Sequence, residues 1–220
     1  MVNELIARRR GMVGSAVLPY DAEIEYLQSS GTQYIDTGII QRGRNMEFVL
    51  DVQWTGNDVQ QFESFFAYMA PNAITPRCGI HKYVSTWMFG TNVTRSTSVV
   101  LNGNRHRIQL IGIPAENKDI LYIDGAMVDE VSTTAEHLAD NLITFFLGAR
   151  NRGGSVDNPA SARFYGLNFK KFADAGHTTI TQEWNLIPVR IGQVGYMYDT
   201  VSGDLLGNCG SGSFILGNDK

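Results

Sequence analysis

From residue 22 onward, short stretches of alternating apolar and polar residues are separated by glycine-rich or polar turns. Successive side chains of a β-strand point to opposite faces, so strict alternation predicts a strand with one buried face. The alternation is clearest in segment 46–54. Its even-numbered residues are all apolar, whereas its odd-numbered residues are mostly polar. The apolar residues are Met46, Phe48, Leu50, Val52 and Trp54. One face of this strand is predicted to lie on the core and the other in solvent.

The same pattern continues along the chain and predicts an all-β domain. The predicted strands are 23–27, 33–36, 46–54, 64–68, 78–83, 86–89, 105–113, 120–123, 126–131, 143–149, 162–172, 183–186 and 195–199. Segment 162–172 carries apolar residues on both faces, which indicates a strand in the middle of a sheet with both faces covered. Segment 133–142 is the one interior candidate for a short helix. Strands at this spacing favour an antiparallel jelly-roll β-sandwich.

Two turns have a clear chemical basis. Asp124 and Gly125 supply the positive φ angles of a type I′ hairpin turn between two apolar runs. A second turn is predicted at Ser202, Gly203 and Asp204. Both turns favour antiparallel neighbours.

The first residues differ from this pattern. Asn3 can cap a short helix with a basic end at Arg8, Arg9 and Arg10, and Gly11 stops it. We therefore expect residues 1–21 to form an arm and linker, and residues 22–220 to form one sandwich domain with a core of its own. The apolar run after the arginines is short and interrupted by glycine, which is not typical of a secretory signal.

Composition and charge narrow the classes of function. The 220 residues are 43% hydrophobic and 18% charged, with a formal net charge of −4. No long basic stripe follows the three arginines, so nucleic-acid binding is not expected. No run reaches the length of a membrane-spanning helix. Cys78 and Cys209 are too few for a disulfide scaffold, and their spacing leaves open whether they pair.

The segment from Glu25 to Gly38 reads EYLQSSGTQYIDTG and resembles the opening motif of laminin-G-like, concanavalin A-like domains in structural proteins of gut bacteriophages and prophages. The resemblance continues through FLGARN at 146–151, ARFY at 162–165, LIPVR at 186–190 and GYMYD at 195–199. It implies a jelly-roll fold in a virion-associated protein. Within the motif, Tyr26, Tyr34 and Ile35 are expected to anchor on the core, and Thr37 and Gly38 to end the second strand.

An enzyme of this fold would need two carboxylates flanking a glycosidic bond. Asp21, Glu23 and Glu25 alternate along one strand face at a suitable spacing. The row lacks an aromatic neighbour on its face and differs from the Glu-x-Asp-x-x-Glu strand of concanavalin-type glucanases. A solvated outer face is the favoured interpretation, and no metal or nucleophile motif is present.

Glycan binding would use an aromatic platform beside polar groups. The candidates for ligand contact are Tyr83, Trp87 and Asn92, with Arg150, Asn151 and Arg152 in a flexible loop. Core packing is the favoured alternative for Trp87, as for Trp54 and Trp184. No cofactor is expected, and the alternative is a Ca²⁺ ion bound by oxygens of Asn151, Asp157 and Asn158.

The sequence therefore predicts a non-enzymatic module of a phage or prophage virion, such as a capsid decoration, head fibre or tail-associated domain. It would bind glycans or a neighbouring virion protein, attach through the arm, and form an oligomer in the assembled particle. Before assembly it would occupy the host cytoplasm. The alternatives are a carbohydrate-active enzyme and a free lectin of the same fold.

Overall fold

The computed structural model describes residues 18–41, 44–57, 61–71, 77–91, 95–132 and 142–220. All but the last residue of the predicted helix at 133–142 and nearly all of the predicted arm at 1–21 lie outside these ranges. Within them, no helix is long and apolar enough to cross a bilayer.

The described chain forms strands joined by turns and one short 3-10 helix at Pro114–Glu116. In chain order the strands are β1 (Ala22–Glu23), β2 (Leu27–Ser30), β3 (Ile35–Ile40), β4 (Met46–Trp54), β5 (Phe62–Met69), β6 (Arg77–Tyr83), β7 (Thr86–Thr91), β8 (Arg95–Val100), β9 (Arg105–Ile113), β10 (Lys118–Ile123), β11 (Ala126–Ser132), β12 (Thr144–Leu147), β13 (Arg150–Arg152), β14 (Ser155–Asp157), β15 (Ser161–Phe172), β16 (Ile180–Ile191), β17 (Val194–Asp199), β18 (Leu205–Leu206) and β19 (Ile215–Leu216).

These strands build two sheets. The larger sheet has the order β11-β10-β9-β4-β15-β16-β17-β18, and in addition β1 pairs with β16, β2 with β15, and β19 with β2. The smaller sheet has the order β14-β13-β5-β6-β7-β8, with β12 joining β5 to β3. Every described pair of strands is antiparallel except β13 and β5, which run parallel. The predicted all-β jelly-roll sandwich is confirmed.

A cluster of phenylalanine rings joins the two sheets. Phe48 and Phe169 belong to the larger sheet, and their rings stack with centroids 5.9 Å apart. Phe66 and Phe145 face them from the smaller sheet, stacked at 4.4 Å, and Phe48 meets Phe66 edge to face at 5.0 Å. All four side chains are fully buried. Such offset and edge-to-face pairs add to the free energy gained by burying the ring surface.

A buried polar network ties the sheets together at one edge. Glu63 of β5 accepts a hydrogen bond from the Trp54 indole of β4 at 3.0 Å and another from the backbone N–H of Ser161 at 2.8 Å. The ammonium group of Lys82 lies 3.6 Å from the same carboxylate and 5.1 Å from the Trp54 ring centroid. Because Lys82 and Glu63 are both buried, each charge depends on the other for stability.

Strand β15 corrects one sequence interpretation. It lies in the middle of the sheet between β4 and β16, as predicted. Its buried apolar side chains, however, all lie on one face of the sheet and not on both. A bulge at Tyr165 and a second near Lys171 shift the alternation by one residue each time. The core face therefore carries all of its buried apolar side chains, which are Ala162, Phe164, Leu167, Phe169 and Phe172.

The turns behave as their residues predict. Asp124 and Gly125 have φ angles of 53° and 82° and connect β10 to β11, as a type I′ turn requires. Ser202, Gly203 and Asp204 turn the chain between β17 and β18, where the Asp199 N–H donates to the Asp204 carbonyl at 2.9 Å.

The opening motif needs two corrections. Ile35 is buried, but Tyr26 and Tyr34 are half-buried and contact Tyr165 and Phe146 rather than reaching the interior. Thr37 and Gly38 do not end their strand either, because β3 continues to Ile40 through a shift in its pairing with β12.

Several strands depart from the predicted bounds. Strands β8, β13 and β14 were not expected, since their sequences are short and mostly polar. Strand β16 is twelve residues long instead of four. Pro188 lies beyond Leu186, where the pairing of β16 with β15 ends, and its carbonyl accepts a hydrogen bond from the Ile24 N–H at 3.0 Å.

The phenylalanine cluster predicts a large loss of stability when one ring is removed. Phe145→Ala should lower the free energy of unfolding by about 3–5 kcal/mol, because it leaves a cavity between the sheets. Val100→Ala is the control, since Val100 is 61% exposed and should change stability by less than about 0.5 kcal/mol. Chemical denaturation measures both; equal effects would contradict a core centred on these rings.

The turn before β16 is predicted to make a pH-dependent contribution to the stability of the fold. The Asp174 carboxylate accepts backbone hydrogen bonds from Thr178, Thr179 and Gly176, and the Thr178 bond is the largest cause of a pKa below the ordinary 3.8. A lowered pKa in the folded state stabilises the fold above pH 3.8, and this stabilisation is lost as the pH falls through the lowered value. Asp174→Ala should therefore be less stable than the wild type at neutral pH. The difference in denaturation midpoint between the wild type and Asp174→Ala should become smaller in acid. A difference that stays constant with pH would contradict a stabilising role of the ionised Asp174.

Candidate functional site

The outer, solvent-facing side of the larger sheet carries a row of polar side chains. Pairing aligns Gln28 of β2 with Arg163 of β15, Arg163 with Gln53 of β4, and Gln53 with Arg105 of β9. Their strand neighbours point into the core, as Phe164 and Val52 do. The alternation of each strand thus places all four polar groups on one surface.

Two tyrosines stand among these residues, and each has an arginine stacked on its ring. The guanidinium carbon of Arg105 lies 3.9 Å from the ring centroid of Tyr165, and that of Arg163 lies 4.5 Å from the ring centroid of Tyr26. The two tyrosine rings meet edge to face at 5.5 Å. We call Tyr26, Arg105, Arg163 and Tyr165 the arginine–tyrosine site.

Hydrogen bonds hold the two arginines in place. Arg105 donates from Nε and Nη2 to both oxygens of Asp51, at 2.7 and 2.5 Å. The hydrogen bond to Asp51 raises the pKa of Arg105 further above the neutral range. Arg163 donates from Nε to Gln28 at 2.8 Å and from Nη1 to Gln53 at 3.4 Å. Both guanidinium groups are therefore oriented before any ligand arrives.

The site surrounds an open cavity of about 460 Å³, lined by its four residues together with Glu25 and Lys220. A volume of this size falls within the range of small-molecule and saccharide-sized pockets. Two guanidinium groups, those of Arg105 and Arg163, and the carboxylate of Glu25 are among its charged groups. A guanidinium has five N–H donors, so Arg163 keeps donors beyond its two glutamine bonds. The arrangement can bind hydroxyl or carboxylate oxygens beside aromatic rings.

The aromatic candidates from the sequence are not part of this surface. Trp87 is 1% exposed and packs in the core against Phe65, with ring centroids 5.3 Å apart, so its ring offers no face to a ligand. Tyr83 is 40% exposed on the smaller sheet, at the end of β6. Asn92 lies outside the described residues.

The three candidates predicted in a flexible loop, Arg150, Asn151 and Arg152, instead form strand β13 of the smaller sheet. Arg150 is held by Asp157 at 2.5 Å and lies 5.1 Å from the ring centroid of Phe62, which also contacts Tyr83. Arg152 is exposed, 3.7 Å from the same Asp157. The structure therefore brings Tyr83, Arg150 and Arg152 onto one surface, and their role in ligand contact stays a prediction.

Asn151 has a structural role in the hairpin of β13 and β14. It is 4% exposed, its amide donates to the carbonyl and hydroxyl of Thr144, and its oxygen accepts from the Gly154 N–H at 2.7 Å. Its polar atoms are thus already used, and Asp157 is paired with Arg150. In the described ranges, no three His, Cys, Asp or Glu side chains come close enough together to hold a metal ion.

The carboxylate row is exposed and bonded to its surroundings. Asp21 accepts the Gly192 N–H at 2.7 Å, Glu23 accepts from the Tyr20 hydroxyl at 3.3 Å, and Glu25 accepts from the Asn218 amide at 3.3 Å. Glu25 lines the cavity of the arginine–tyrosine site, whereas Asp21 and Glu23 do not. The two cysteines are separate free thiols. Cys78 is buried, which raises the pKa of its thiol, and Cys209 is exposed.

Sequence reasoning missed the arginine–tyrosine site for a physical reason. The alternation of Arg163 and Tyr165 about Phe164 was visible and could have suggested a polar outer face. The position of Arg105 beside them depends on the register of β9, β4 and β15. Tyr165 also sits at the bulge, where simple alternation no longer gives the direction of a side chain.

No protein-family model matches this sequence, and no curated protein matches it. Several solved structures share the fold. An assumed carbohydrate-binding protein from Bacteroides ovatus superposes with a TM-score of 0.62 and 7% identity, over 90% of this chain and 61% of that one. The IT-sialidase CBM40 of Ruminococcus gnavus superposes with a TM-score of 0.50 and 13% identity, over 72% of this chain and 97% of that one.

A mutant of the NanB sialidase of Streptococcus pneumoniae also gives a TM-score of 0.50 with 13% identity, over 89% of this chain. This chain spans 39% of that sialidase and 61% of the Bacteroides protein. At these identities the likeness identifies a shared β-sandwich fold and nothing finer.

Proposed function

We propose that this protein is a non-enzymatic carbohydrate-binding β-sandwich and that the arginine–tyrosine site holds the glycan. The observation that carries the proposal is the pair of arginine–tyrosine stacks beside a saccharide-sized cavity. Similar folds occur in an assumed carbohydrate-binding protein and in a CBM40, which agrees with this function.

The binding would depend on groups that are already ordered. A sugar presents apolar C–H faces and hydroxyl groups around one ring, and aromatic side chains with fixed polar neighbours complement both. Asp51, Gln28 and Gln53 fix the two arginines, so little side-chain entropy is lost on binding. Arginine can also hold a carboxylate with two parallel hydrogen bonds.

A hydrolytic function is the alternative, and the carboxylates support it poorly. Cleavage would need two carboxyl groups on either side of the bound sugar, but of the row only Glu25 lines the cavity. Incubation with host polysaccharides should release no reducing sugar. Release that falls when Glu23 and Glu25 are replaced by alanine would instead establish an enzyme.

A glycan array tests the site directly. The wild-type protein should bind a defined set of glycans, and Arg163→Gln and Tyr26→Ala should each weaken that binding about tenfold or more, because a charge-assisted hydrogen bond or a stacking face is lost. Arg152→Gln and Tyr83→Ala are matched controls on the smaller sheet and should bind normally.

Thermal unfolding would confirm that all four variants fold. No binding across the array would refute the proposed function. Loss of binding in the two control variants would show that the glycan site lies on the smaller sheet.

We further propose that the protein works as part of a phage or prophage particle, as a capsid decoration, head-fibre or tail-associated module. The support is the sequence resemblance from Glu25 to Asp199. In this proposal the module is carried on the particle, oligomerises with or contacts other virion proteins, and attaches through its first residues.

Deletion of residues 1–14 tests this attachment. Particles assembled with the truncated protein should contain less of it than particles assembled with the full chain, as measured by immunoblotting of purified virions. Equal amounts of the two proteins would show that the arm is not the attachment segment.

A further inference from the structure

A second cavity lies next to the arginine–tyrosine site on the same outer face. Its volume is about 430 Å³, and Asp51, Arg107 and Lys170 are among its lining residues. Asp51 joins the two cavities, because it lines the second one and bonds Arg105 of the first. The outer face therefore offers a ligand more room than a single saccharide needs.

Arg107 is part of this extended surface. It follows Arg105 by two residues on β9 and points to the same outer face. Its exposed side chain lines both the second cavity and a third of about 440 Å³, which Gln109 and Asp124 share. Within the described ranges, no hydrogen bond or ion pair involves the Arg107 guanidinium.

The carboxylates near Arg107 already have other partners. Asp51 is bonded twice by Arg105. Glu47 accepts from Gln109 at 2.8 Å. Asp124 accepts from the backbone N–H of Arg107 at 2.8 Å and contacts His106 at 2.7 Å. The free guanidinium is therefore best matched by an acidic group that arrives with a ligand.

The spacing of the cations sets the size of that ligand. Arg107 lies about 7 Å along the strand from Arg105, and Arg163 lies two strands from Arg105, or about 10 Å. The backbone positions of Arg107 and Arg163 are thus about 12 Å apart. A single sugar ring does not cover this distance, whereas a short oligosaccharide does.

We propose that the ligand is an oligosaccharide with carboxylates on more than one sugar, lying across β15, β4 and β9 from Arg163 to Arg107. This inference rests on the proposed function and deepens it. One carboxylated unit occupies the arginine–tyrosine site, and a later acidic unit of the same chain binds Arg107.

Length ladders of acidic oligosaccharides test the inference. Oligogalacturonides and hyaluronan oligosaccharides, from the shortest unit to the octasaccharide, would be titrated by isothermal calorimetry. The wild type should bind the longer members of at least one ladder about tenfold more tightly than the shortest. Arg107→Gln should remove this gain, since one charge-assisted hydrogen bond is worth about that factor, and should leave affinity for the shortest member unchanged. Arg152→Gln is the matched control.

The outcomes separate the two proposals. If Arg107→Gln keeps the full gain with length, or if methyl-esterified oligogalacturonides bind as tightly as the acids, the inference is wrong while the arginine–tyrosine site stands. If neither acidic ladder binds but a neutral glycan does, the acidic ligand is excluded. If Arg163→Gln leaves every affinity unchanged, the proposed function itself fails.

Discussion

The burial of one face of β15 is the constraint on which the rest of the structure depends. Phe164, Leu167 and Phe169 must lie between the sheets, where Phe169 joins the phenylalanine cluster with Phe48 and Phe145. Arg163 and Tyr165 must then face outward. The bulge at Tyr165 absorbs the extra residue, so the apolar side chains stay in the core while Tyr165 can lie against Arg105 and Tyr26.

The two sheets have different outer surfaces. On the larger sheet, cations are stacked on tyrosines and oriented by Asp51, Gln28 and Gln53. On the smaller sheet, Arg150 is paired with Asp157 and packed against Phe62, which suits a structural role in the hairpin of β13 and β14. The buried Glu63, bonded to Trp54 and to the backbone of β15, holds the two layers in register at the edge nearest the arginine–tyrosine site.

Local pattern was enough to predict the fold. Alternation in Met46–Trp54 and the turn chemistry at Asp124 and Gly125 both follow from interactions between near neighbours, and both are confirmed. The site was not predictable in the same way. It joins Tyr26, Arg105 and Arg163, which come from three distant segments of the chain. They meet because of the register between neighbouring strands, and this register does not follow from the residues of any one segment. Trp87 was considered both as a ligand contact and, with more weight, as a core residue, and the structure confirms the core position.

The most direct test of the account is a nuclear magnetic resonance titration of the isotope-labelled protein with the glycan that binds most strongly on an array. The account predicts that the largest chemical-shift changes fall at Tyr26, Arg105, Arg163 and Tyr165, on the outer face of the larger sheet. Changes concentrated at Tyr83, Arg150 and Arg152 instead would contradict it.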